Sequence, residues 1–286
     1  MPIHDQGYRR YGGTRAPRGQ SWSVITRAGL RTMLAKRTFL GLLLIAWGPF
    51  LVRAIMVYAA YGAAASIPQA SFFRPTAETF RGLLGPGGVE GVLIYLITVY
   101  TGSGLIANDR RANALQIYLS KPLSRSEYIL GKLTILMSFL LFVTWVPAIV
   151  LLIIQIAFAG NFTFLKANLF LFPAITVYAF IEAGLWSFVM LALSSLSKSA
   201  RYVAVLYSLI LFFLTAIYGV LYAVTRSTSL SWISLSNNLE QVGNIIFRMP
   251  PKYDTPWLVS LLVIVLTIVV SGLVLERRVR GVEVVA

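Results

Sequence analysis

The sequence predicts an all-α integral membrane protein with six transmembrane helices and both termini in the cytoplasm. Three observations predict it. Of 286 residues, 57% are hydrophobic and only 12% are charged, where a soluble domain carries about a quarter. The apolar residues gather into six runs, most of them long enough for about 30 Å of hydrocarbon. Eighteen of the 25 Lys and Arg fall on one side of those runs, six on the other, and Arg53 inside a run. Basic residues collect in cytoplasmic loops, which fixes the orientation and accounts for the net charge of +15 without a nucleic-acid partner.

Residues 1–20 are rich in Arg, Gly, Pro and Tyr without an apolar period, as expected of a disordered basic cytoplasmic tail; no signal cleavage is expected. Over 21–37, Trp22, Ile25, Leu30, Met33 and Leu34 recur at helical spacing, with Arg27, Arg31 and Lys36 largely elsewhere. That pattern suits an amphipathic helix in the inner headgroup layer, its basic residues toward anionic membrane lipid. The six-span domain then occupies 38–276. The first span, 39–61, should kink at Gly48-Pro49. A polar connection follows to Glu90. The second, 91–107, ends in Thr101-Gly102-Ser103-Gly104, small residues that let helices approach closely in lipid. The third runs 128–158 with Pro147 inside it, and a short turn at 160–166 leads to the fourth, 168–195, with Pro173 and Glu182. The fifth is 202–225. An amphipathic piece at 239–247 precedes the sixth, whose first turn takes Pro256 and which stops at Glu276, leaving 277–286 as a cytoplasmic tail.

The loop 106–132 between the second and third spans is the longest polar interruption on the basic side. It holds Asp109, Arg110, Arg111, Lys121, Arg125, Glu127 and Lys132. Asn108 or Asp109 can cap a helix through Leu119 that Lys121-Pro122 ends, because the residue before proline avoids helical angles. Leu115, Tyr118 and Leu119 share one face of it at i, i+3, i+4 spacing. Ser124-Arg125-Ser126-Glu127 reads as a capping box opening the third span. A rigid amphipathic helix clamped between two spans can receive a push and pass it to both. A solvated connection carrying topology charges fits the same residues.

The run from Gly104 to Leu133, with Leu119-Ser120-Lys121-Pro122-Leu123-Ser124-Arg125 and Gly131-Lys132, resembles the cytoplasmic loop of permease subunits of type-2 ABC exporters. The likeness is close over about 30 residues and loose elsewhere. It implies a permease paired with itself or a sister permease, and two separate ABC ATPase subunits docked on this loop. The contact would be Leu115, Tyr118 and Leu119, with Asp109, Arg110 and Arg111 at the polar rim. It implies a multi-pass place in a bacterial inner membrane, with ATP and Mg on the partner and no cofactor in this chain. Gly131-Lys132 is not the end of a phosphate-binding loop. Ser126 stands where its first glycine belongs, and Leu133 where Ser or Thr must bind Mg.

Arg53 and Glu182 are the charges inside spans, and such residues face protein or water. Arg53 lies roughly 21 Å from the inner end of its span at 1.5 Å per residue, and Glu182 about as far from the outer end of its own. Separate partners are therefore expected, with Glu182 in the inner third and Arg53 reaching outward. There is no Cys, and the single His is His4. That removes thiolate chemistry and His-based metal clusters. Ser103 has no membrane histidine to activate it, so no catalytic residue is expected. The alternatives are a membrane assembly protein without transport activity and an intramembrane lipid-modifying enzyme.

Overall fold

The computed structural model describes residues 21–61, 75–114, 124–159 and 169–279. Among them every regular element is helical. Six stretches are long and apolar enough to cross a membrane: Arg37–Tyr61, Ala77–Arg111, Arg125–Phe158, Leu171–Leu196, Ala200–Thr225 and Trp257–Arg278. Each overlaps one expected span. The tail 1–20, the turn 160–166, residues 280–286, and Leu115, Tyr118 and Leu119 lie outside the described residues.

Helix α1 (Ser21–Leu34) precedes the first span. Its Ile25 meets Gly131 and its Gly29 meets Ile135, and the Thr26 hydroxyl donates to the Gly131 carbonyl (3.2 Å). Both residue pairs advance by four in the same sense, so α1 runs parallel to the start of the third span. Glycine at 29 and 131 permits this approach, because a Cβ at 131 would stand 2.9 Å from the Ile25 Cβ. The packed face is Ile25, Thr26, Leu30 and Met33, while Trp22 and Leu34 of the expected apolar face stay exposed.

The first span is broken in two, α2 (Arg37–Ala46) and α3 (Gly48–Tyr61), at Trp47. Pro49 has no N–H for the Ile45 carbonyl and its ring crowds that group, so the expected kink is a full break. A helix then appears where a loop is expected, α4 (Ala77–Leu84), with Phe80, Leu83 and Leu84 buried. The Thr76 amide donates to the Thr79 hydroxyl at its start (3.1 Å). The second span, α5 (Gly88–Arg111), is about a turn longer at each end than 91–107. This corrects the expected cap: Asn108 and Asp109 continue α5 and do not begin a new helix. The stop comes at Asn113, in the left-handed conformation (φ 51), which asparagine tolerates better than most residues.

The third span divides at Thr144 into α6 (Arg125–Val143) and α7 (Trp145–Ala159). Pro147 denies a donor to the Val143 carbonyl, and the Thr144 hydroxyl bonds back to the Leu140 carbonyl (2.8 Å). Next come α8 (Leu171–Leu196) and α9 (Ala200–Thr225). Their most apolar windows differ sharply in burial, 72% against 11%. So α8 is the central post, packed by α4, α5, α6, α7, α9, α10 and α11, and α9 is a peripheral helix. Helix α10 (Leu235–Ile246) starts a turn before the expected 239–247 and is capped by Ser234. It ends on Arg248 (φ 57), with Met249 N–H bonded to the Asn244 carbonyl (2.8 Å) and Arg248 N–H to that of Ile245 (3.0 Å), a Schellman closure. Helix α11 (Trp257–Arg278) begins after Pro256 and runs past Glu276.

Candidate functional site

The C-terminal ends of α5 and α8 and the start of α6 come together. The small-residue run expected to allow close packing lies here: a Cβ at Gly102 would press on Met190 of α8 and on Leu136 of α6. The Ser194 hydroxyl of α8 donates to the Ser103 carbonyl (2.9 Å) and accepts from the Ile106 and Ala107 amides (3.1 and 3.0 Å). A hydroxyl can make these bonds to another helix's backbone only where no side chain separates the two.

One turn further, Asp109 turns across to α6. Its carboxylate pairs with Lys132 (2.7 Å) and accepts from the Tyr128 hydroxyl (2.7 Å). Tyr128 is fully buried, and the Lys132 ammonium lies over its ring at 5.5 Å. Tyr128 and Lys132 are four apart on α6 and so share a face. Arg110 turns the other way and donates to the Ser195 carbonyl near the end of α8. Adjacent residues of opposite charge thus tie α5 to both neighbours. Arg111 stays exposed.

On the far side of the loop the expected capping box is present. The Ser124 hydroxyl accepts from the Glu127 amide (3.2 Å), and the Glu127 carboxylate accepts from the Ser124 amide (3.0 Å). Gly131 is the seventh residue of α6, where its missing side chain seats α1.

Arg53 and Glu182 do not pair with each other. Arg53 pairs with Glu90 of α5 (2.5 Å) and donates to the Pro49 carbonyl (3.3 Å). The sequence reading left Glu90 in the preceding loop, and so missed this partner. Glu182 is the twelfth residue of the 26-residue α8, so it sits at mid-helix. Only 1% of it is exposed, and neither carboxylate oxygen has a hydrogen-bond partner among the described residues. No hydrogen bond joins it to Arg81 or to Trp186. Arg81, a buried arginine of α4 not singled out from the sequence, donates instead to the Glu240 carbonyl (3.2 Å) and lies 5.0 Å over the Tyr178 ring.

At the α10 end, Glu240 pairs with Lys252 (2.8 Å) and accepts from the Tyr253 hydroxyl (2.6 Å). Burial works to raise the Glu240 carboxyl, but the Lys252 and Tyr253 bonds outweigh it and hold the group below the usual carboxylate range. Burial and the same carboxylate push the Tyr253 hydroxyl up. No group of three or more His, Cys, Asp or Glu suited to a metal occurs among the described residues. No known family model matches this chain, and no curated protein is similar to it.

Proposed function

We propose that this chain is the permease subunit of an ATP-driven exporter of the type-2 ABC kind, working as one of two permease copies with two ATPase subunits docked on its 106–132 loop. In this scheme the membrane is a bacterial inner membrane and the loop and both termini are cytoplasmic. ATP and Mg belong to the partner.

The observation that carries the proposal is the clamp at the base of the loop. A push on a loop moves a bundle only if the loop is tied to helices that cannot yield separately. Asp109 binds α5 to α6, Arg110 binds α5 to α8, and the Ser124–Glu127 box fixes the return into α6. The central post α8 would then receive displacement through Arg110 and through the Ser194 hydroxyl on the α5 backbone. Asp109 and Arg110 serve here as positioning residues behind a docking face formed by Leu115, Tyr118 and Leu119, with Arg111 at the polar rim.

The test is retention of the ATPase when the full chain is purified from its own membranes on an affinity column. Interfaces are anchored by a few buried apolar and aromatic groups. Tyr118→Asp and Leu119→Asp should each lower partner retention at least tenfold, about 1.4 kcal/mol, with thermal stability of the permease in detergent unchanged. Arg111→Ala should cost less and depend more on salt. Full retention with Asp at both positions overturns the docking assignment. ATP turnover by a partner-free preparation overturns the division of labour.

A further inference from the structure

A slot of about 330 Å³ lies between α5, α8 and α9 and reaches the start of α10, within the size range of small-molecule sites. Along α9 its wall is Tyr207, Leu211, Phe212 and Thr215, so it runs about 12 Å parallel to the helix axis at 1.5 Å per residue. Rings close one end. Trp186 of α8 meets Tyr207 edge-on at 6.4 Å, and Tyr95 of α5 stacks on Tyr207 at 6.1 Å. The other end is more polar, with Thr215 and, in the first turn of α10, Ser236. No described residue that lines the slot is charged.

A second, shallower groove runs beside the slot along the outer flank of α5 and α9. It is lined by Val99 of α5 and by Ala204, Leu209 and Phe213 of α9, again without a charged residue among those described. Tyr95 and Phe212 line both the slot and the groove. They meet edge-on at 5.6 Å and so form the wall between the two. A hydrogen bond between the Tyr95 and Ser208 hydroxyls (2.6 Å) fixes one side of that wall. Phe212 is 64% exposed, so the rim of the wall stands on the apolar flank of the bundle.

The chemistry of the two channels selects their occupant. The flank on which they open carries Val205, Leu209 and Phe212 outward, and so much exposed apolar surface is at rest only in hydrocarbon. Water would find few polar partners along the ring-lined length of the slot, and a charged ligand would find no counter-charge in it. Lipid chains lie along the same direction as membrane-spanning helices, and two of them leave one head. Two parallel apolar channels, divided by one wall and polar at one end, repeat that shape. We infer that a single diacyl lipid occupies the pair. One chain lies in the slot against Trp186 and Tyr207, the other in the outer groove, and the ester region sits at the Thr215 and Ser236 end. The site stands on this geometry and does not depend on the permease function proposed above.

The full-length chain is placed in nanodiscs of phosphatidylcholine mixed with phosphatidylcholine brominated on both acyl chains. Bromine quenches tryptophan fluorescence at short range, and Trp186 is only 4% exposed, which makes it a reporter of a chain inside the slot. Its signal is the difference between the parent and Trp186→Phe. That signal should fall by at least half at full bromination, and in direct proportion to the brominated fraction, as a single occupant requires. A tryptophan with several lipid neighbours falls more steeply at low fractions. Thr215→Phe fills the polar end of the slot and should restore most of the Trp186 signal. Native mass spectrometry from mild detergent should find one phospholipid held by each parent chain and at least fivefold less on Thr215→Phe. An unquenched Trp186 overturns the inference, whether the slot stays dry or a second copy of the chain covers the flank. So does the steeper fall of many neighbours, or quenching in Thr215→Phe equal to that of the parent. If either variant does not fold, the lipid count on the parent decides, and a parent stripped of phospholipid as readily as detergent exchanges would sink the site.

Discussion

Asp109 ties α5 to α6 through Lys132 and Tyr128. It and Lys132 have side-chain exposures of 18% and 12%, so their attraction is only partly screened, and either left alone would be a poorly solvated charge. Lys132→Met and Asp109→Asn should therefore each destabilise the bundle by about 2–4 kcal/mol, the double variant by less than the sum. Thermal unfolding of the four proteins in detergent measures this, and additive losses would mean the two groups are not coupled. Glu240 supports a second residue-level prediction. Its carboxyl is depressed in the folded chain, so its contribution is complete above the unfolded value of about 4.3 and is lost as pH falls through the lower folded value. Between pH 7 and pH 3, Glu240→Gln should flatten part of the acid loss in melting temperature. A variant as acid-sensitive as the parent would place that loss elsewhere. These pairs also mark what a sequence shows at this scale. The Ser124–Glu127 box was legible because its partners are three residues apart. Asp109 and Lys132 are separated by a whole loop, and Arg53 and Glu90 by the helix α4 and its connections, so nothing local joins them.

At the scale of the element, proline and glycine explain most of what the sequence foretold and part of what it missed. The breaks at Trp47 and Thr144 each lie two or three residues before a proline, as the lost donor and the crowded carbonyl require. Helix α4 was not legible because it is only eight residues long and is followed at once by Gly-Pro-Gly-Gly. Its burial comes from α7, α8 and α5, which only the fold assembles. The docking of α1 along α6 was hidden for a similar reason. Amphipathicity marks an apolar face, but Gly29 and Gly131 leave no periodic signal while deciding which helix that face meets. Gly131→Leu should thus release α1 without disturbing the spans, because the new side chain would collide with Ile25 and the Trp22 carbonyl. Limited trypsin digestion at Arg27 and Arg31 reads the release, with cleavage accelerated at least tenfold. Unchanged protection in Gly131→Leu would show that α1 is held by something other than this contact.

The whole molecule is a post with a coat. Helix α8 is nearly surrounded by protein, while α9 and α11, with 11% and 22% of their apolar windows buried, present Val205, Leu209, Phe212, Leu262 and Val265 outward. So much exposed apolar surface would drive aggregation in water and is at rest only in hydrocarbon. The composition made this legible; which helix stands at the centre it did not, since α8 is less apolar than α9 or α11 (mean window hydropathy 1.7 against 2.3 and 3.0). Lipid-facing helices must be the most apolar, whereas a central one trades apolarity for Gly, Ser and a buried Glu. Six crossings place Ala112 and Lys198 at one end of the bundle and Ser229 at the other. The proposed function takes the first end as cytoplasmic, in line with the bias of 18 to six basic residues. Because the chain has no cysteine, single substitutions report this without background. Ala112→Cys and Lys198→Cys should resist a membrane-impermeant maleimide in intact cells and react after permeabilisation. Ser229→Cys should react in both. Labelling of Ala112→Cys from outside, with Ser229→Cys silent, would invert the molecule and remove the loop from reach of any cytoplasmic ATPase. Labelling at both ends from outside would mean that the number of crossings between them is even, and one of the intervening helices α6–α9 would have to leave the membrane.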